Sequence, residues 1–197
     1  MNSNLKDNLF SRKRLLIVAG PTGCGKSTFL RSALGTKPSP LTKTILKKAF
    51  KRSDFKTQQL YFRRLQKLHE RQEGYKKFLR NYNNFILDID TTGPRFKKNA
   101  LIFPEFLKKF NRIISLQIYT PYELWINRIL ERKINSTLKS SRSVRRILHN
   151  SFSLKPQERE QAENSYYAYY DRWESMLNDY NVKSQIRIDT LQDLILE

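Results

Sequence analysis

Cysteine is almost absent from this chain. Cys24 is the only one among 197 residues, so no intrachain disulfide can form, and a reducing cytoplasm is the expected setting. Acid is also scarce: 18 Asp and Glu stand against 38 Lys and Arg, a net charge of +20. Such a surplus suits a polyanionic partner, whether nucleic acid, an anionic membrane face or a multiply phosphorylated substrate. It equally suits compositional drift, because Lys, Asn, Ile, Tyr and Phe are all plentiful, as an AT-rich coding sequence would make them. The two histidines, His69 and His149, are isolated, which argues against a histidine metal site. No apolar run approaches the roughly 20 residues needed to cross a bilayer. Met1 to Arg14 is polar and then basic, and the apolar stretch behind it runs directly into a glycine loop. A cleaved signal peptide is therefore not expected, since cutting there would remove the best motif in the chain. No repeat or low-complexity linker divides the sequence, so one domain over 1–197 is expected.

What is present is a series of strand and helix patterns in alternation. Leu15 to Ala19 is a continuous apolar run ending at glycine, as expected of a strand buried on both faces of a parallel sheet. A helix is predicted from the glycine loop to Leu34, stopped at Gly35, with Pro38 and Pro40 breaking the chain beyond it. Over residues 41–80 the pattern reads as helical. Tyr61, Leu65, Leu68, Gln72, Tyr75 and Leu79 form one stripe, while Arg63, Arg64, Lys67 and Arg71 lie off it. This excursion holds 13 basic residues against 3 acidic ones and so carries much of the surplus charge. Phe85 to Asp90 reads as a second buried strand, Pro104 opens a short helix, and Arg112 to Tyr119 is a third strand. Thr120-Pro121-Tyr122-Glu123 carries helix-start chemistry, with Thr as cap and Pro at the first helical position, and that helix should reach Ile134. Residues 135–153 are polar, basic and partly helical. Pro156 begins a helix to about Asn178, Ser184 to Asp189 is a last strand, and Asp189 or Thr190 caps a final short helix. Such alternation predicts an α/β fold with a parallel central sheet.

Gly20-Pro21-Thr22-Gly23-Cys24-Gly25-Lys26-Ser27 matches the phosphate-loop pattern G-x-x-x-x-G-K-[ST] at every defined position. The spacing follows from the chemistry. Glycines let the backbone wrap with its N–H groups inward at a helix N-terminus, Lys26 reaches the β- and γ-phosphates, and the Ser27 hydroxyl ligates Mg²⁺. Gly20 to Thr28 is thus the expected nucleotide seat, for ATP with Mg²⁺. Cys24, inside the loop, is either an oxidisable thiol or simply a tolerated small residue, the latter being favoured. At the end of the second strand, Asp88 and Asp90 share one face where α/β sheets bind ligands. In small-molecule kinases of the P-loop type, which this loop and strand resemble, the comparable acid orders the metal or takes the acceptor's proton, which implies Asp88 on the metal side and Asp90 as the base. No Asn/Thr-Lys-x-Asp motif for reading guanine is present, which argues against a GTPase.

The stretch Leu15 to Leu34 resembles the first strand, loop and helix of the P-loop kinases, the superfamily of nucleoside monophosphate and small-metabolite kinases. The wider layout is similar as well. The resemblance implies a three-layer P-loop kinase-like fold with a helical acceptor-side insertion at about 41–80 and a lid at about 135–153. It implies an ATP-dependent kinase acting on a small acceptor, and an anionic one suits the cationic excursion. Arg128 and Arg132, one turn apart on the predicted helix 122–134, resemble the arginines that stabilise the transferring phosphoryl group; a solvated basic face is the alternative. Arg142, Arg145 and Arg146 would belong to the lid. Thr91-Thr92-Gly93 is similar to the loop after the acid in some metabolite kinases and zeta-toxin-like kinases, and Arg95 either holds the acceptor or is solvated. Tyr166, Tyr169, Tyr170, Trp173 and Leu177 have helical spacing, so core packing is favoured there over base stacking. Two further readings stay open: a non-enzymatic ATP-dependent switch, and a nucleic-acid-directed P-loop protein using the basic helices.

Overall fold

The computed structural model describes residues 13–50, 57–61, 82–92, 101–134 and 142–190. Five strands form one sheet: β1 (Arg14–Gly20), β2 (Thr57–Tyr61), β3 (Asn84–Asp90), β4 (Arg112–Tyr119) and β5 (Gln185–Asp189). Their spatial order is β2-β3-β1-β4-β5, with every neighbouring pair parallel. Leu15 to Ala19 occupies the centre of that sheet because it is apolar at every position and can be buried on both faces at once. Each fully buried Leu or Ile there contributes roughly 1.5–3 kcal/mol over leaving it exposed.

Helices α1 (Lys26–Leu34), α2 (Pro40–Phe50), α3 (Phe103–Leu107), α4 (Tyr122–Ile134), α5 (Arg142–Ser151) and α6 (Pro156–Asp179) complete the described elements. The period-2 alternation of the strands divides their side chains between two cores. Leu15, Ile17, Ala19, Phe85, Leu87 and Ile89 pack on α3 and on Trp173, Met176 and Leu177 of α6. Leu16, Val18, Ile86, Leu116 and Ile118 pack on Phe29 and Leu30 of α1 and on Ile45, Leu46 and Phe50 of α2. The result is the three-layer α/β arrangement expected, with a parallel sheet between helical layers. A third core joins α4, α5 and the first half of α6 through Trp125, Ile129, Val144, Ile147, Tyr166 and Tyr169. The tyrosine-rich run of α6 is therefore packing material, as its spacing predicts. Among the described residues no helix is long and apolar enough to cross a membrane.

One element departs from expectation. The helical reading of 41–80 holds for α2, but Thr57 to Tyr61 is an edge strand, with Tyr61 opposite Asp88 of β3. Tyr61 therefore does not begin a helical stripe. The cause is tertiary: pairing along β3 satisfies the backbone of Thr57–Tyr61 and buries Leu60 in the core, and no local periodicity announces such pairing. The rest of the predicted stripe, with Arg63, Arg64, Lys67 and Arg71, lies outside the described residues. So do Gly93, Arg95, residues 135–141 of the predicted lid and the predicted final helix.

Candidate functional site: the phosphate loop and its braces

Parallel strands bring their C-terminal ends to one edge, and the turn from β1 into α1 lies on that edge. Gly23 and Gly25 hold left-handed φ values of +93° and +107°. A Cβ on Gly23 would also sit 2.7 Å from Ile129 Cδ1, so α4 packs where a side chain would have to go. Gly25 is the N-cap of α1, and no side chain caps that helix. Its first N–H groups and its positive dipole end are thereby left facing outward, the arrangement that receives an anion.

The loop's carbonyls, by contrast, are drawn away from that face by donors around it. Lys26 Nζ donates to Gly20 O at 2.7 Å and to Pro21 O at 2.8 Å. Trp125 Nε1 donates to Thr22 O at 2.7 Å, and Thr120 Oγ1 donates to Cys24 O at 3.0 Å. Thr120 is itself fixed by α6, because Tyr166 donates its hydroxyl to Thr120 O and the Thr120 N–H bonds to Tyr170 Oη at 3.1 Å. Burial pushes both phenols well up, so they stay neutral hydrogen-bonding groups at ordinary pH. The sequence pattern placed Thr120 as a helix cap, whereas its hydroxyl serves the phosphate loop. Trp125 was legible only as a buried face of α4, and its bond to the loop had no signal in the sequence.

Asp90 closes the other side. Its Oδ2 accepts from Thr22 Oγ1 at 2.7 Å, and its Oδ1 accepts from Thr92 N at 3.0 Å and Thr92 Oγ1 at 2.6 Å. Parallel register sets Gly20 opposite Asp90, and Thr91 N donates to Gly20 O at 3.2 Å, so the end of β3 and the phosphate loop form one braced unit. Those bonds occupy three of a carboxylate's roughly four lone-pair positions, and Oδ2 can accept once more. Asp88 lies two residues back on the same face, half-buried and opposite Val18. Ser27 and Thr28 are exposed in the first turn of α1, and Arg128 approaches Thr120 Oγ1 at 3.5 Å beside Gly25. Arg132 is one turn farther along α4 and half-exposed. The structure thus gathers Gly20–Thr28, Lys26, Asp90 and Arg128 at one edge, with Arg142 and Arg145 exposed on the separate helix α5.

For a divalent ion the donor set is informative. Among the described residues no three His, Cys, Asp or Glu cluster as a cage. Hydroxyl and carboxylate oxygens from Ser27 and Asp88 are instead the hard donors that suit Mg²⁺, which keeps several waters and takes its remaining ligands from phosphate. The residues fit an ion carried in on a triphosphate.

Cys24 is fully buried, and that burial pushes its thiol up, against the pull of the Lys26 ammonium nearby. The oxidisable reading of Cys24 therefore loses its basis. In the folded protein, Cys24 should resist an aromatic disulfide reagent and react fully only in denaturant. Rapid native labelling would show that the loop opens far more than its bracing allows.

Beyond Thr91 and Thr92 lies a cavity of about 1040 Å³, walled on its other sides by α5 and α6. It lies at the upper end of the size range of small-ligand pockets.

A parallel α/β sheet with a glycine loop braced at its central strand end defines a nucleotide-binding P-loop domain. The chain belongs to the family described as the Rad17 P-loop domain, whose model matches residues 2–120. No curated protein matches it in sequence. Among solved structures it is similar to an unliganded sugar kinase from Janibacter sp. HTCC2649, at 11% identity and a TM-score of 0.37, over 90% of this chain and 85% of that one. It is also similar to shikimate kinase from Acinetobacter baumannii in complex with shikimate, at 14% identity and a TM-score of 0.39, over 96% of both chains. At that level of superposition neither likeness bears on substrate.

Proposed function

We propose that this protein is an ATP-dependent phosphotransferase acting on a small, anionic metabolite in the cytoplasm. The observation that carries this reading is adjacency: the braced phosphate loop, the Asp90 carboxylate and a ligand-sized cavity meet at Thr91 and Thr92.

In this reading the acceptor's hydroxyl oxygen attacks the γ-phosphorus of ATP. The bond from that phosphorus to the β–γ bridging oxygen breaks, ADP leaves, and the hydroxyl proton passes to Asp90 Oδ2. Lys26, Arg128 and Arg132 stabilise the charge spread over the moving phosphoryl group. Ser27 and Asp88 would hold Mg²⁺, directly and through water, and the ion would supply charge neutralisation at the phosphates. Thr22 and Thr92 keep Asp90 in place, so loop and base cannot drift apart.

The test is phosphoryl transfer from labelled ATP into a pool of cellular metabolites, with Lys26→Ala and Asp90→Asn beside the parent protein. A labelled metabolite from the parent, and none from either variant, is the expected result. Tight ATP binding with no acceptor ever labelled would overturn it in favour of a nucleotide-driven switch. Steeply salt-dependent binding to RNA or DNA would instead favour the nucleic-acid role open to so basic a chain.

A further inference from the structure

We infer that the outer face of helices α1 and α2 is an interaction surface for an anionic phospholipid bilayer. This docking is separate from phosphoryl transfer and needs none of the residues given a part in it. It gives the surplus positive charge a place. Residues 27–50 hold five cations, Arg31, Lys37, Lys43, Lys47 and Lys48, and no acid at all. All five are exposed, and none forms an ion pair among the described residues.

The packing fixes which way these charges point. Ile45, Leu46, Ala49 and Phe50 turn inward onto the sheet, so the helical period sends Lys43, Lys47 and Lys48 to the opposite side of α2. Two further cations gather at the end of that helix. Arg14, the first residue of β1, donates to Phe50 O, and Arg112, the first residue of β4, donates to Lys48 O at 2.7 Å. The end of α2 therefore lies at the N-terminal edge of the sheet. The seven residues of β1 separate that edge from the phosphate loop by roughly 20 Å. A bilayer held against the lysines of α2 leaves the nucleotide edge open.

The helices on the other side of the sheet are built differently. There α6 carries six acidic residues against two arginines, and the arginines of α5 stand beside it. Compositional drift would raise lysine on every surface and would not strip acid from one layer alone. A field of single sign attracts polyanions, and the rest of the face chooses among them. Its exposed cations are four lysines and one arginine, whereas nucleic-acid phosphates are better matched by the arginine fork. Over residues 27–50 no exposed aromatic ring offers a base a place to stack. Leu34 and Leu41 are exposed instead, each at 41%, at the corner where α1 gives way to α2. Leucines among lysines suit the interfacial zone of a bilayer, where cations meet headgroups and apolar side chains meet the acyl boundary.

The experiment is co-sedimentation of the full chain with vesicles of phosphatidylcholine alone and of phosphatidylcholine mixed with phosphatidylserine. The parent protein should bind the mixed vesicles and not the neutral ones. Each Lys or Arg at an acidic membrane surface strengthens binding by about fivefold. The triple variant Lys43→Gln/Lys47→Gln/Lys48→Gln should therefore weaken binding by about a hundredfold, and salt raised to about 1 M should release the parent. Arg142→Gln/Arg145→Gln/Arg159→Gln removes as many exposed charges from α5 and α6 and should leave binding nearly unchanged. Leu34→Ser/Leu41→Ser should weaken it severalfold, and thermal melting checks that each variant is folded. Equal binding to neutral and acidic vesicles, no binding to either, or equal weakening by the two triple variants would overturn the assignment. Binding of duplex DNA or RNA through the same three lysines, with vesicles ignored, would give the face to nucleic acid. Self-association lost with those lysines, again with vesicles ignored, would give it to a second copy of the chain. Phosphoryl transfer is not read here, so none of these outcomes touches the phosphotransferase reading.

Discussion

Trp125→Ala should cost about 3–5 kcal/mol of folding stability, the usual penalty for truncating a fully buried tryptophan, and nucleotide binding should fall with it. Trp125 is completely buried, its ring centroid lies 4.6 Å from that of Tyr166, and its indole N–H bonds to Thr22 O at 2.7 Å. Truncation thus opens a void in the core shared by α4, α5 and α6 and also frees a carbonyl at the middle of the phosphate loop. For a chain of this size the melting temperature should drop by roughly 10 °C or more. Trp125→Phe separates the two effects. It keeps most of the packing but removes the donor, so it should cost only about 1–3 kcal/mol while still weakening ATP. ATP affinity for Trp125→Phe equal to that of the parent would show that the indole N–H does not position the loop.

The division between what could and could not be read in advance follows the range of the forces involved. Leu15 to Lys26 was legible because its constraints are local: an apolar run must be buried, and the loop's left-handed φ values favour glycine at Gly23 and Gly25. Asp88 and Asp90 were legible as a pair, since period 2 places them on one face. What each touches was not, because Thr22 and Thr92 meet Asp90 only after β1 and β3 pair in register. The same holds for Thr57 to Tyr61, whose strand conformation depends on its partner β3. Thr120 shows how a correct local signal can mislead. Thr-Pro-x-Glu is sound helix-start chemistry, yet two buried tyrosines from α6 and a loop carbonyl define what that threonine does. The cavity had no signature at all, because its walls come from residues spread over some eighty positions and become neighbours only when α5 folds back on α6.

Lys26→Ala should lower phosphoryl transfer by roughly 10²–10³-fold, the range for removing one preorganised group that meets developing charge. Its effect on folding should be small, and the structure says why. The carbonyls that Lys26 serves keep other donors, Thr91 N for Gly20 O at 3.2 Å and Cys24 N for Pro21 O at 3.3 Å, so neither is orphaned when the ammonium is lost. Loss of function should therefore separate cleanly from loss of fold. Thermal melting provides the check: ATP at about a hundred times its Kd should stabilise the parent by about 2.7 kcal/mol, and the same concentration should leave Lys26→Ala nearly unshifted. Lys26→Arg should not rescue it. Lys26 is 8% exposed and its ammonium is held between two carbonyls under 3 Å away, a space that a planar guanidinium cannot enter without displacing the loop. A Lys26→Ala protein that melted like the parent and still shifted fully with ATP would place the triphosphate elsewhere, and the roles given to Ser27, Asp90 and Arg128 would fall with it.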